Sequence, residues 1–242
     1  MNQSSPRMVP YRIWFSILAV ILFTAFITQI VVAWKNPGVE TYEASPYDTP
    51  LTRVFSISTF FTVWSAGVAA FAALFVALQP DGETAAIRTL WVTAVMMTTL
   101  TAVIYQMYMY MDVPQLGIYS LVNTLMHRVV PALTVGTFLV AGPRGWINPG
   151  TIGKAFIIPS LWLLYTIGAG HFAHAYPYIF MNPAFMGVQE VAKILGQLAL
   201  FGVGLGFTYL LYDKTVTYVG RKLKPKPKPK PKHPTSENIT NG

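Results

Sequence analysis

The sequence predicts an all-α, polytopic membrane protein whose six transmembrane helices form one bundle. Hydrophobic residues make up 53% of the 242-residue chain and only 11% are charged, against about a quarter in a typical soluble domain. The mean hydropathy is +0.47. Six apolar stretches are each long enough to cross a hydrocarbon core of about 30 Å, and they lack the alternation of barrel strands.

The predicted spans are residues 12–34, 55–78, 88–111, 118–140, 153–174 and 188–212. The first resembles a signal peptide in position, but its apolar run is longer than a signal core and no small-residue cleavage site follows it, so we expect a retained helix. We therefore expect a transmembrane domain over 1–212 and a cytoplasmic, disordered Lys/Pro-rich tail over 213–242.

The composition narrows the class of function. The chain has no cysteine, which excludes disulfides, thiolate catalysis and zinc–thiolate sites. The net charge of +8 comes mainly from the tail, where lysine and proline alternate beside a membrane span. That placement favours attraction to anionic lipid and argues against a nucleic-acid partner. No cofactor and no metal site are predicted, because the histidines lack the spacing of a ligand set.

The distribution of Lys and Arg predicts the orientation in the cell membrane. Positive residues precede the first span, lie between spans four and five at Arg144 and Lys154, and fill the tail. Positively charged loops stay in the cytoplasm, so both termini are predicted to be cytoplasmic. The second loop, with Asp81, Glu83 and Arg88, opposes this weakly, but acidic residues count little in this rule.

Polar residues at membrane depth carry the functional prediction, because an ionisable group inside a span is costly and usually faces the bundle interior. Thr62 and Ser65 share one face of the second span, and Asn123 and His127 share one face of the fourth. At 1.5 Å per residue, Thr62 and His127 both lie about 10–13 Å below the outer surface. The other polar candidates on that side are Tyr105, Gln106, His171, His174 and the possible ion pair Glu190–Lys193.

These residues gather in the predicted outer half of the bundle, while the inner half is almost purely aliphatic and aromatic. This segregation predicts a polar pocket that opens outward. Structural alternatives exist for most members, since a threonine hydroxyl can bond its own backbone and Asn123 can link two helices. His127 is the strongest functional candidate, because an isolated histidine at this depth is costly. Pro131, four residues on, frees the His127 carbonyl and predicts a kink.

Four motifs in order give a resemblance to a known family. The stretches FFTVWS, VIYQ, VNTLMHRVVP and LLYTIGAGHFAHAYPYIFMNP follow one another within residues 10–212. This series resembles the bacterial six-helix family Pr-six-Pr, which carries F-T-x-x-S-N, N-x-x-x-H-x-x-x-P and Y-P-Y-x-F-x-[DN]-P motifs. That family is distantly similar to the androgen-induced membrane proteins, which are intramembrane threonine hydrolases of hydroxy-fatty-acid esters.

The resemblance implies a Thr/His hydrolase. Its threonine falls on Thr62, as the nucleophile, and its histidine on His127, as the general base, which are the two residues that the depth count selects. Ala66 departs from the family pattern by replacing an asparagine, and at the [DN] position of the Y-P-Y motif this chain has Asn182 and not the aspartate. The expected substrate-binding residues are Ser65, Tyr105, Gln106, Asn123 and His171, with Asn123, Tyr105 or Gln106 as oxyanion donor.

Two other classes of function remain open. The same pocket could bind or transport a lipid or small polar ligand, although no inverted repeat or broken pair of spans typical of transporters is visible. A regulatory membrane subunit, with the tail as its contact, is the third possibility. The expected partners are membrane lipids and a lipid-like substrate or ligand. The small-residue stretch GVGLGF at 202–207 would suit a homo-oligomer.

Overall fold

The computed structural model describes residues 8–35, 49–80, 84–109, 117–173 and 175–223. Within these ranges the chain forms helices and connecting turns, and no strand. The helices long and apolar enough to cross a membrane are Val9–Lys35, Phe61–Leu78, Ala85–Met107, Ile118–Ala141, Pro149–Ala173 and Val188–Lys222. The predicted all-α fold with six spans is confirmed, and the protein is an integral membrane protein.

Several of these spans are composite. The α-helices of the described residues are α1 Met8–Lys35, α2 Pro50–Ser58, α3 Phe61–Leu78, α4 Ala85–Ile104, α5 Ile118–Thr124, α6 Val130–Ala141, α7 Pro149–Ala155, α8 Ile157–Ala173, α9 Pro183–Met186 and α10 Val188–Lys222. Helix α4 continues into a π-helical turn at Tyr105–Met109, and a second π-helical turn, Leu125–Val129, joins α5 to α6. A 3-10 turn at Ile179–Met181 precedes α9.

Helix α3 is the centre of the bundle, with 67% of its residues buried. Its most extensive contacts are with α1 and α4. The fully buried alanines on it are Ala66, Ala69, Ala70, Ala72 and Ala73. Small side chains allow helices to approach closely. Such close packing drives helix association in lipid, where the hydrophobic effect does not. By contrast, α10 is mostly exposed and lies at the edge of the bundle.

Two arginines fasten α1 to the second crossing at opposite ends of the bundle. Arg12, near the start of α1, donates from Nε to the carbonyl of Ala77 at the end of α3 (3.1 Å). Arg53, in α2, donates to the carbonyls of Ala33 (3.0 Å) and Trp34 (2.9 Å) at the end of α1. The last carbonyls of a helix lack intrahelical donors and carry partial negative charge. Each guanidinium supplies a hydrogen-bond donor and a compensating positive charge.

The second crossing differs from the prediction of one helix over 55–78. The chain leaves α2 at Ser58 and begins α3 at Phe61, so the crossing is interrupted near one end of the bundle. Thr62 consequently lies in the first turn of α3 and not two turns into a continuous helix. Thr59 and Phe60 form the break, and with neither glycine nor proline there the sequence does not mark it.

Side chains from α8 satisfy the backbone at this break. The carbonyl of Thr59 accepts hydrogen bonds from Trp162 Nε1 (2.8 Å) and from Thr166 Oγ1 (3.0 Å). The carbonyl of Ser58 accepts from Trp64 Nε1 (2.7 Å). Irregular backbone at membrane depth is tolerated only where such partners exist, so α8 and the break stabilise each other.

Two other crossings also depart from their predicted bounds. The fifth begins at Pro149, earlier than the predicted residue 153, and is interrupted at Phe156 between α7 and α8. The sixth continues to Lys222, so residues 213–222, which were assigned to the disordered tail, are helical. Hydropathy marks where an apolar stretch stops, whereas backbone hydrogen bonding carries a helix beyond that point.

Some of the predicted features lie outside the described residues. These are the tail from residue 224 onward, His174, and Asp81 and Glu83 of the second loop.

A buried carboxylate lies at the end of the bundle opposite to Thr62; we refer to these as the Asp213 end and the Thr62 end. Asp213, on α10, is 1% exposed, and its two oxygens accept from the Gly145 N–H at 3.0 and 2.9 Å. Gly145 has φ +76°, a conformation that favours glycine. The prediction of an almost apolar inner half is therefore wrong at Asp213, because the predicted span stops one residue before it.

Replacing Asp213 by alanine should destabilise the protein, because it removes the charged acceptor of the Gly145 N–H. A hydrogen bond to a charged group contributes about 1.5–3 kcal/mol, which corresponds to a fall of roughly 3–12 °C in the melting temperature of a chain this size. Thermal unfolding in detergent would measure it. Thr215→Ala, at an exposed position on the same helix, is the control and should melt like the wild type. An unchanged melting temperature for Asp213→Ala would contradict the assigned role.

Candidate functional site

Thr62 and His127 meet inside the bundle at the Thr62 end. The Thr62 hydroxyl oxygen lies 3.2 Å from His127 Nε2. Thr62 is 7% exposed and sits in the first turn of α3, while the half-buried His127 lies in the π-helical turn between α5 and α6. The two side chains that the sequence pairs by depth are therefore within hydrogen-bond distance.

The second ring nitrogen defines the tautomer of His127. His127 Nδ1 lies 3.1 Å from the backbone carbonyl oxygen of Asn123. A carbonyl oxygen can only accept, so Nδ1 carries the proton and Nε2 of the neutral ring is unprotonated. Nε2 then accepts a hydrogen bond from the Thr62 hydroxyl. A hydroxyl, a ring nitrogen that can accept its proton and a carbonyl that holds the ring in this tautomer are thus adjacent to one another.

Asn123 and Tyr105 hold the imidazole in place. The Tyr105 ring stacks on the His127 ring with centroids 4.1 Å apart and an interplanar angle of 19°. Asn123 Nδ2 donates to the Tyr105 hydroxyl at 2.5 Å. Asn123 therefore makes two contacts at the site. Its backbone carbonyl bonds the imidazole, and its side-chain amide bonds the hydroxyl of the tyrosine that stacks on the imidazole.

The backbone around these residues is unusual for a transmembrane helix. Tyr105 opens one π-helical turn and His127 lies in the other, and Pro131 follows the second turn. Single π-helical turns inside α-helices occur frequently at functional sites. The sequence predicts a kink at Pro131, and just before this proline the structure has the wider π-helical turn, where the Val130 N–H bonds the Leu125 carbonyl.

A cavity of about 150 Å³ adjoins the Thr62–His127 pair. Four side chains form its polar end: Thr62, Tyr105, His127 and Tyr178. The rest is mostly apolar and lies between α4, α8 and α10, with Met96, Met97, Leu100, Phe156, Leu163, Leu195 and Leu198 among its lining residues. Ser160 and Ala199 also line the cavity and are exposed on the outside of the bundle. The cavity therefore opens sideways between α8 and α10, toward the region that lipid would occupy.

Ser65 bonds the backbone of Thr62 and does not line the cavity. It is 1% exposed, donates to the Thr62 carbonyl at 2.9 Å, and its hydroxyl lies 2.9 Å from that of Thr101. Ser65 thereby links α3 to α4 next to the site. Its position fits a role in holding the backbone of Thr62 and does not fit the direct substrate contact that the sequence predicts.

Gln106 and His171 are not brought to the site. Gln106 follows Tyr105 in the π-helical turn, but its side chain is exposed and does not line the cavity. His171 is exposed on α8, with its ring against Phe172. A depth count gives the height of a residue and not the direction in which its side chain points, and the interrupted helices change that direction.

Other predicted polar residues have structural roles. Glu190 and Lys193 pair as expected, with Nζ and Oε1 3.1 Å apart, but the pair is exposed. Ala66, at the family asparagine position, is fully buried in α3. The Asn182 side chain accepts from the Ala184 N–H and so caps α9. Among the described residues, no cluster of three or more His, Asp or Glu side chains is arranged to hold a metal ion.

The sequence reasoning missed Tyr178 as a site residue. Tyr178 is 7% exposed, lies in the segment before α9 and lines the cavity. Its hydroxyl oxygen accepts a hydrogen bond from the Phe61 N–H at 3.1 Å. The AYPYIFMNP motif contains this tyrosine, but the motif was used as a family marker and no chemistry was assigned to it.

Comparisons with family models, curated proteins and solved structures give no match to this chain.

The tautomer of His127 can be checked without any activity. In protein labelled with ¹⁵N-histidine, we expect the His127 resonances to show a protonated Nδ1 and an unprotonated, hydrogen-bonded Nε2 at neutral pH. Thr62→Val should shift the Nε2 resonance and leave Nδ1 nearly unchanged, because only Nε2 contacts the threonine. His127→Gln identifies the resonances among the four histidines. A proton on Nε2 would contradict the assigned geometry.

Proposed function

We propose that the protein is an intramembrane Thr/His hydrolase that cleaves a lipid or fatty-acid ester. The observation that carries the proposal is the chain of contacts from the Thr62 hydroxyl to His127 Nε2 (3.2 Å) and from His127 Nδ1 to the Asn123 carbonyl (3.1 Å). The resemblance to the Pr-six-Pr family gives independent support, because its threonine and histidine fall on the same two positions.

In this mechanism His127 acts as general base for Thr62. As Oγ1 attacks the ester carbonyl carbon, its proton moves to His127 Nε2, and the carbonyl π electrons move to oxygen to give a tetrahedral adduct. When the adduct collapses, the C–O bond to the alcohol breaks and the leaving oxygen takes the proton from His127. An acyl group then remains on Thr62.

Water completes the reaction. It attacks the acyl carbon while His127 takes its proton, and collapse of the second adduct releases a carboxylic acid and returns the proton to Thr62. No carboxylate orients the imidazole, since the partner of Nδ1 is a backbone carbonyl, so the base is part of a dyad.

The cavity supports an ester with an apolar chain as the substrate. The reacting pair lies at its polar end, and the remaining wall offers aliphatic and aromatic surface to a hydrocarbon chain. Its opening between α8 and α10 would admit a chain directly from the bilayer. Moving a methylene group from water to an apolar site contributes about 0.8 kcal/mol, but a substrate already in lipid gains nothing from this transfer. Binding should therefore depend on the shape of the cavity and on contacts with its polar end.

Thr62→Val and His127→Gln should each abolish hydrolysis of the best substrate in a panel of lipid and fatty-acid esters. Valine has the shape of threonine without the hydroxyl, and general-base catalysis alone contributes about 10²–10⁴-fold. The double variant should be no slower than the slower single variant, because the two residues act as one unit. Release of free fatty acid by purified protein in detergent measures all three rates.

Two controls separate catalysis from binding. Thr62→Ser keeps a hydroxyl and should retain part of the activity, and an unreactive ether analogue of the substrate should bind Thr62→Val as it binds the wild type. If both Thr62→Val and His127→Gln keep the wild-type rate, the dyad is wrong. A wild-type protein that binds the ether and hydrolyses no ester would favour the binding or transport function.

We also propose that the protein lies in the cell membrane with both termini in the cytoplasm, which puts the Thr62 end at the outer surface. The positively charged loops support this orientation. Because the chain has no cysteine, single substitutions report topology directly. A membrane-impermeant maleimide added to intact cells should label Ser45→Cys and leave Ser4→Cys and Ser236→Cys unlabelled until the cells are opened. The reverse pattern would contradict the orientation.

A further inference from the structure

Acyl transfer needs a hydrogen-bond donor for the negative oxygen of the tetrahedral adduct. Three donors are expected from the sequence, and of these Tyr105 stacks on the His127 ring and bonds the Asn123 amide through its hydroxyl. The Asn123 amide donates to Tyr105, and Gln106 is exposed away from the cavity. The structure offers a different group at the polar end of the cavity, which is the phenol of Tyr178.

The Tyr178 hydroxyl sits on the N-terminus of α3. Its oxygen accepts from the N–H of Phe61, the first residue of that helix, at 3.1 Å. Thr62, the second residue of the helix, also interacts with this hydroxyl. The first N–H groups of a helix have no acceptor within the helix and carry partial positive charge. The Thr62 hydroxyl donates its single proton to His127 Nε2 and the phenol oxygen accepts from Phe61, so the phenol O–H is the group left to donate beside the Thr62 oxygen.

The Tyr178 ring is held on several sides. It stacks on Phe180, with centroids 5.1 Å apart and planes 7° apart, and meets Phe60 and Trp162 edge to face. The loop carrying it can close because of Gly170, where an added Cβ would lie 2.3 Å from the Tyr176 ring. The hydroxyl is therefore preorganised, which is what makes an oxyanion donor effective.

We propose that Tyr178 is a catalytic residue that donates its O–H to the oxyanion formed on the carbonyl that Thr62 attacks. The inference rests on the proposed hydrolase function. It assigns the hydrogen-bond donor to the oxyanion, which neither Thr62 nor His127 provides. The phenol forms a hydrogen bond and keeps its proton, so the proton balance of the reaction is still carried by His127 alone. The helix N-terminus behind Tyr178 strengthens the donor by polarising the O–H bond.

The protonation of Tyr178 agrees with this role. Burial raises the pKa of Tyr178 to about 12, and its hydrogen bonding with Thr62 and Phe61 opposes that rise only in part. A phenol whose pKa is raised keeps its proton as the pH increases, so the donor is present throughout the neutral and moderately alkaline range.

Tyr178→Phe tests the assignment, since it removes the hydroxyl and keeps the ring that packs on Phe180. With a 4-methylumbelliferyl ester of a medium-chain fatty acid, we expect kcat to fall by roughly 10²–10³-fold with little change in KM. A trifluoromethyl ketone with the same acyl chain, which forms a tetrahedral adduct, should lose affinity by a similar factor. The ether analogue, which develops no oxyanion, should bind as it does to the wild type.

Tyr165→Phe is the matched control. Tyr165 also lies near the Thr62 end, and its hydroxyl bonds Ser58 at 2.5 Å, but it does not line the cavity. This variant should keep the wild-type kcat.

The outcomes separate this inference from the function on which it rests. If Thr62→Val is inactive and Tyr178→Phe keeps kcat within about twofold of the wild type, Tyr178 is not the donor and the Thr/His dyad stands. If Tyr178→Phe weakens the ether and the ketone equally, its role is structural. If the wild type shows no Thr62-dependent turnover of any ester, both the function and this assignment fall.

Discussion

The interruption of the second crossing between α2 and α3 is the feature on which the rest of the site depends. Were the helix continuous, the carbonyl of Thr59 and the amide of Phe61 would bond within it, and no helix end would exist inside the bundle. Because the helix restarts at Phe61, Thr62 lies in a buried first turn whose amide groups have no acceptor within the helix, and Tyr178 accepts from one of them. Trp162 and Thr166 stabilise the break by donating to the Thr59 carbonyl. Helix α8 therefore forms one wall of the cavity and also stabilises the helix start that carries Thr62.

The bundle combines a close-packed half with a looser one. The alanine-rich α3 lies tightly between α1 and α4, and this half carries Thr62 and, through the π-helical turn, contacts His127. The last two crossings cover it incompletely and leave the apolar cavity with its lateral opening. Reacting groups that must stay aligned to within about 0.5 Å are best placed on rigid elements. A loosely packed wall can admit a hydrocarbon chain without disturbing them.

The sequence predicted the number of crossings and the height of the polar residues because both follow from hydropathy and helix rise. It correctly paired Thr62 with His127, since each lies at a similar depth on a polar face. It did not reveal the break at Thr59, which is held by contacts with α8 more than a hundred residues later in the chain. The exposed positions of Gln106 and His171 and the location of Tyr178 in the site depend on the same long-range contacts, which a linear count cannot contain.

The bonds from Arg12 and Arg53 to helix ends also bear on the order in which the protein is assembled during translation. When α1 enters the membrane, the acceptor of Arg12, the carbonyl of Ala77, has not yet been inserted, and the guanidinium must remain among lipid headgroups and water. Insertion of the second crossing supplies that acceptor and brings Arg53 to the end of α1, which locks a hairpin. Thr62 is thus positioned early in biogenesis, and the wall of the cavity is completed only by the last helix.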